Sequence, residues 1–174
     1  MPRLKRITGT ADLASEGEPG SWIDDAARER FMAAYERVFA LWPQPVEEFD
    51  IETATATTRV HAYRPHPAGP PVVLLTGAGF NASAWYPHVA ALAAHGPVYG
   101  IDMPGDPNPS VARALMTPPA SCAAWLDELL GQLSDRPAHL VGFSYGGWVA
   151  MNQAIRAPGQ IGRASCRERV FLSV

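Results

Sequence analysis

The stretch HLVGFSYGGWVAMNQAIRAP, residues 139–158, sets a serine among glycines where a short apolar run passes into apolar residues at helical spacing. A run such as HLVGF, apolar on both sides of the chain, reads as a strand covered on both faces. Trp148, Met151 and Ile155, three and four residues apart, read as one stripe of a helix over Tyr145–Ala157 that stops at Pro158-Gly159. A strand that feeds directly into a helix must turn sharply at Ser144. Gly142 and Gly146, at the −2 and +2 positions, let neighbouring backbone approach such a turn. The turn lifts the hydroxyl above the sheet, and the helix N-terminus beside it offers free N–H groups and a favourable dipole. A serine hydroxyl is a poor nucleophile unless it is exposed, aligned with a base and faced by donors for the developing oxyanion, and the turn supplies the first and the last. Gly142-Phe143-Ser144-Tyr145-Gly146 therefore fits a nucleophile elbow in its strand–turn–helix context.

The rest of the chain supplies the alternation that such a turn requires. Residues 1–20 are polar and contain Gly and Pro, which predicts a loose arm. Ser21, with Asp24 at the capping-box distance, is placed to cap a helix carrying Phe31, Tyr35, Val38, Phe39 and Trp42 and stopping before Pro43. VEEFDIETATATTRVHAYRP reads as two extended segments, near 46–52 and 57–64. PVVLLTG is a buried strand, followed by a helix near 86–95, a strand in PVYGID, the proline-rich loop MPGDPNP and a helix over 118–133. Cys122, Trp125, Leu126, Leu129 and Leu133 form the inner stripe of that last helix, so Cys122 is a core residue. Strand, helix, strand, helix, strand, helix describes a parallel sheet with right-handed crossovers.

Composition narrows the function classes. With 174 residues, 47% hydrophobic and 18% charged, the chain fits one soluble globular domain with a real core. The formal charge is −3 without a basic cluster, which argues against nucleic acid as a partner. No stretch is long and apolar enough to span a bilayer, and the basic N-terminus lacks the apolar run of a leader, so no membrane partner and a cytoplasmic location are expected. Two cysteines, Cys122 and Cys166, without metal-like spacing suggest neither a disulfide framework nor a zinc site. Nothing in the pattern specifies an oligomeric state.

Three stretches in order, LLTGAGFNASAWYPHVAAL, VYGIDMPGDPNPS and the elbow, resemble the N-terminal part of an α/β-hydrolase-fold enzyme over roughly residues 30–160. The resemblance implies a mostly parallel central sheet flanked by helices, truncated after the elbow helix, with residues 21–160 as an incomplete domain. It implies a serine hydrolase, carboxylesterase-like, that acts on a small-molecule substrate through an acyl-Ser144 intermediate without metal or cofactor. By the same likeness the oxyanion is held by the backbone N–H groups of Ala78 and Tyr145, with Gly79 as second choice for the first donor. Thr76 stands where the family customarily carries a histidine. The acid and histidine follow the serine in this family, so Asp102, which precedes it, is not the acid. Asp102 is expected to bond N–H groups of the 103–107 turn. His61, His66, His88, His95 and His139 are expected to be structural or exposed rather than the base.

Two alternatives accompany this reading. The same fold serves non-catalytic ligand-binding or receptor proteins. Gly77-x-Gly79-x-x-Ala82 after a buried strand, with Asp102 beyond, also matches an NAD(P)-binding fingerprint, although Pro87 delays the helix that should follow. Finally, IGRASCRERV packs three arginines and a glutamate where an apolar strand is expected, and it resembles a translated sequencing adapter. Residues 161–174 are therefore expected to be a non-native tail. That expectation leaves the HLVGF strand at the sheet edge, the elbow helix with an uncovered apolar patch, and the chain by itself without activity.

Overall fold

The computed structural model describes residues 22–66, 68–114, 116 and 118–167. The expected arm over 1–20 and the expected cap Ser21 lie outside the described residues. Asp24 itself caps the first helix, α1 (Asp25–Phe39), by accepting the Ala27 N–H at 2.6 Å. A carboxylate at this position satisfies an orphan donor and complements the helix dipole.

Two strands follow, β1 (Glu47–Glu52) and β2 (Ala56–Tyr63), paired antiparallel from Glu47↔Ala62 to Glu52↔Thr57. Next come β3 (Val72–Leu75), helix α2 (Val89–Leu92) and β4 (Val98–Ile101). The helix expected over 86–95 is broken up. Residues Ala82–Trp85 form one 3₁₀ turn and Ala93–His95 another, leaving α2 only four residues long. Pro87 lacks the N–H a continuing helix needs, and Gly96 at φ 152° takes the chain out of it. A two-residue strand, β5 (Val111–Ala112), pairs with the start of β2. Then α3 (Pro119–Leu133), β6 (Ala138–Phe143) and α4 (Tyr145–Arg156) complete the pattern read from the sequence.

The strand order is β1-β2-β4-β3-β6-β7, with β4, β3, β6 and β7 parallel and β1 and β2 antiparallel to their neighbours. The last strand, β7 (Ile161–Arg167), belongs to the stretch set apart in the sequence. It pairs with β6 from Ala138↔Ile161 to Phe143↔Arg167, so β6 is an interior strand rather than the expected edge. The ladder can form because pairing needs backbone only. Residues 162–166 are solvent-exposed, which lets a polar sequence occupy an edge.

Side chains alternate across the sheet and build two cores. Val73 and Leu75 of β3 join Val60, Ile101, Leu140 and the α3 stripe of Trp125, Leu126 and Leu129 on one face. Val72 and Leu74 join Tyr35, Phe39, Trp42, Trp85 and Val89 on the other. A fully buried residue of this size contributes about 1.5–3 kcal/mol relative to exposure, so the parallel strands anchor whatever sits at their ends. On α4, Trp148, Met151 and Ile155 remain exposed, the last by 78%.

Candidate active site

Ser144 sits between β6 and α4 with φ 51° and ψ −123°, the only non-glycine residue with positive φ among those described. Such a backbone stores about 1–3 kcal/mol and persists only where the surroundings hold it. They do so closely. A Cβ placed on Gly142 would lie 2.4 Å from the Gly146 carbonyl, and one on Gly146 would lie 2.3 Å from the Leu75 oxygen. The spacing of glycines around Ser144 is thus a packing requirement between β3, β6 and α4. Ser144 is exposed and its side chain makes no capping bond to its own helix, so the hydroxyl is free.

The loop after β3 reaches the same point. A Cβ on Gly77 would come within 3.1 Å of the Ser144 Cβ, so the loop backbone just before Ala78 packs against the serine. Phe80 N–H donates to the Gly77 carbonyl at 3.1 Å, closing a tight turn with Gly79 at φ 77° in the position where a type II turn needs glycine. Thr76, fully buried, donates from its hydroxyl to the Phe80 carbonyl at 3.4 Å and so braces the turn from inside. The Gly79 N–H is occupied, donating to Asp106 Oδ1 at 2.8 Å. The N–H groups of Ala78 and Tyr145 have no acceptor among the described residues. Of the two candidates for the first donor, Ala78 is therefore the one left available.

Asp106 was not singled out by sequence reasoning, although its place just after the Pro104-Gly105 turn is a usable signal. Burial raises its carboxyl above the usual aspartate range, and the Gly79 N–H opposes that rise. Beside the elbow, the Tyr145 ring stacks on Trp148 at 5.5 Å and its hydroxyl is pushed up to about 12 by burial, with Cys122 and Asp106 adding to the effect.

Asp102 departs from its expected role. It bonds nothing in the 103–107 turn with its side chain; instead Oδ1 accepts the Ala82 N–H at 2.8 Å and Oδ2 accepts the Tyr35 hydroxyl at 2.5 Å. Being fully buried, it is also closed to a ribose, and the 3₁₀ turn after Gly79 supplies no long helix for a pyrophosphate. The dinucleotide alternative does not fit this loop. His61 is buried against Tyr35, His88 lies edge-on to Trp85, and His139, the second residue of β6, pairs opposite Val72 at the far end from Ser144. Among the described residues, no group of His, Cys, Asp or Glu is placed to hold a metal ion. A cleft of about 550 Å³, lined by Phe80, Trp85, His88, Leu92, Val141 and Phe143, opens on the α2 side of β6; Ser144 does not line it.

A parallel sheet of this order, with a strained serine at the strand–helix turn and an N–H-bearing loop from the neighbouring strand, defines a class. The chain belongs to the alpha/beta hydrolase family, whose sequence profile matches residues 72–174. It is 36% identical over 135 residues to carboxylesterase YbfK of Bacillus subtilis (strain 168), an alignment covering 78% of this chain and 45% of that protein. It is 33% identical over 136 residues to the uncharacterized carboxylesterase nap of the same organism, again 78% of this chain and 45% of the relative. The chain thus spans about half the length of the curated relatives it matches. The crystal structure of YbfK superposes with a TM-score of 0.73 at 34% identity, over 77% of this chain and 47% of that one. That of naproxen esterase from Bacillus subtilis gives 0.75 at 32%, over 84% and 50%.

Proposed function

We propose that the protein is a serine carboxylesterase that hydrolyses small-molecule esters through an acyl-Ser144 intermediate. The observation that carries this reading is the backbone of Ser144, held at φ 51° with its hydroxyl exposed beside two unengaged N–H groups. Ser144 Oγ attacks the ester carbonyl carbon, and the negative charge that develops on the carbonyl oxygen is met by the N–H groups of Ala78 and Tyr145. Donors fixed in place before the reaction need no reorganisation when the charge appears, and each is worth about 10²–10³ in kcat. Collapse of the tetrahedral species expels the alcohol, and water then attacks the acyl-enzyme to release the acid. A histidine takes and returns the proton, oriented by a carboxylate. The reading assigns both to protein beyond these 174 residues, since no described histidine bonds to Ser144 and the carboxylesterase relatives are about twice as long.

The test is Ser144→Ala in protein that includes those partners, with a p-nitrophenyl ester as substrate and a fluorophosphonate as label. Turnover is expected to fall at least about a thousandfold and labelling to vanish. Turnover at the wild-type rate would remove Ser144 from the chemistry, and absence of turnover in the unmutated protein would favour a ligand-binding member of the fold.

A further inference from the structure

Behind the oxyanion loop lies a polar cluster that the chemistry at Ser144 does not use. Asp102 follows β4, Tyr35 comes from α1 and His61 from β2, and the side chains of His61 and Asp102 are completely buried. The Tyr35 hydroxyl lies 2.6 Å from His61 Nε2 and 2.5 Å from Asp102 Oδ2, while His61 Nε2 lies 3.2 Å from the same carboxyl oxygen. His61 is stacked on Phe39 at 3.9 Å, and its Nδ1 looks outward to Glu48 Oε1 at 3.4 Å. Burying three polar groups together is expensive unless each is satisfied, and hydrophobic residues would fill the same space more cheaply. What this cluster holds is the outer oxygen of Asp102. The inner oxygen, Oδ1, holds the Ala82 N–H.

Ala82 ends the loop that begins at Gly77. The loop is tied as well by Asp106 to the Gly79 N–H, by the Thr76 hydroxyl to the Phe80 carbonyl and, just past its end, by the Trp42 indole N–H donating to the Ser83 carbonyl at 3.3 Å. Ala82 is thus fixed by a carboxyl tied at both oxygens, at the far end of a loop whose Gly77 packs against the Ser144 Cβ.

We propose that Asp102, locked by Tyr35 and His61, is a positioning residue for the oxyanion loop and sets kcat by fixing the direction of the Ala78 N–H. The proposal rests on the reading of Ser144 as nucleophile. Burial, with Asp102 next, pushes the Tyr35 hydroxyl far above the ordinary phenol range, so it remains a donor throughout the working range. A donor displaced by an ångström forfeits about two orders of magnitude in rate while substrate binding persists. In protein that includes the histidine and carboxylate partners, Asp102→Ala should therefore lower kcat about 100-fold with KM changed less than about twofold. Tyr35→Phe, which keeps the ring and deletes the hydroxyl's contacts with Asp102 and His61, should lower kcat about five- to tenfold. Asp102→Asn should rescue, with kcat within about threefold of wild type. Its Oδ1 still accepts from Ala82, its amide donates to the Tyr35 oxygen, and Tyr35 turns its proton to His61 Nε2.

Amide exchange supplies a readout independent of esterase activity. In Asp102→Ala the Ala82 amide, which loses its acceptor, and the Phe80 amide, which closes the turn at Gly77, should exchange at least about tenfold faster, with β3 and β6 amides unchanged. Unchanged exchange at those two amides overturns the proposal whether or not the protein is an esterase. So does a kcat in Tyr35→Phe equal to wild type, or a loss confined to KM. Should Asp102→Ala fail to fold, Tyr35→Phe and Asp102→Asn carry both measurements. Persistent turnover in Ser144→Ala would instead strike the nucleophile assignment, leaving the exchange result to decide the role of Asp102.

Discussion

Replacing Ser144 by glycine should make the protein more stable than replacing it by alanine, although glycine is normally the weaker choice. In an ordinary conformation, glycine in place of alanine costs about 0.4–1 kcal/mol, because the unfolded chain gains freedom. At φ 51° and ψ −123° the balance reverses. Alanine inherits the strain of about 1–3 kcal/mol that any side chain meets there, and glycine releases it. The difference is a net gain of about 1 kcal/mol for glycine. Nothing else confounds the pair, since the exposed hydroxyl leaves no polar group orphaned when it goes. For a domain of 150–250 residues, about 1 kcal/mol moves Tm by about 2–4 °C. Thermal unfolding followed by circular dichroism, with wild type and both variants at one protein concentration, measures it. A Ser144→Gly protein that melts below Ser144→Ala would mean that the elbow backbone is relaxed, and the argument from strain to function would lose its premise.

Gly146→Ala drives a Cβ to 2.3 Å from the Leu75 oxygen and should cost about 3 kcal/mol in denaturant unfolding, whereas Gly159→Ala, with open space around it, should be neutral within about 0.5 kcal/mol. Asp106 binds its proton more tightly in the folded state than unfolded, so its contribution to stability declines as pH rises through and above the ordinary aspartate range. Asp106→Asn, which keeps the acceptor for Gly79, should thus melt higher than wild type at pH 7 and no higher at pH 4. Ending the chain at residue 160 strips β7 from β6 and bares an apolar strand, so soluble yield should fall sharply relative to the chain that retains 161–167. NAD or NADP at millimolar concentration should leave Tm unchanged; a saturable rise would reinstate a nucleotide site in the Gly77–Ala82 loop.

The strand–turn–helix at Ser144 was legible because every cue that defines it is local: an apolar run, glycines two residues to either side, and a helical stripe beginning at once. The parallel strands were legible for the same reason, their continuous apolar character being what double-sided burial demands. Asp102 was not. Its partners lie 67 residues away in α1, 41 away in β2 and 20 away in the loop, and no window on the sequence brings Tyr35, His61 and Ala82 together. Tyr35 read as a stripe residue, which it is; its hydroxyl is what the stripe conceals. Strand β7 escaped because its pairing is made by backbone on an exposed edge, where side-chain polarity carries little information. The broken helix near 86–95 shows the opposite failure, an apolar count trusted over the two residues, Pro87 and Gly96, that interrupt it.

The strand order carries a consequence for how this protein can change. From β3 the chain crosses to β4 on one side; its next parallel strand, β6, returns to the other side of β3. The chain leaves β3 over one face into α2 and leaves β6 over the other into α4, so the two connections part at the carboxyl ends of β3 and β6 and open a crevice there. Gly77 and Ser144 stand on its two banks. The crevice is a product of winding, with no side chain needed to carve it, and on the proposed reading its reacting groups are backbone N–H donors and one hydroxyl. On that reading, selection can rebuild the walls by lengthening or recomposing the loops after these two strands, altering which ester enters, while the floor stays as the sheet made it.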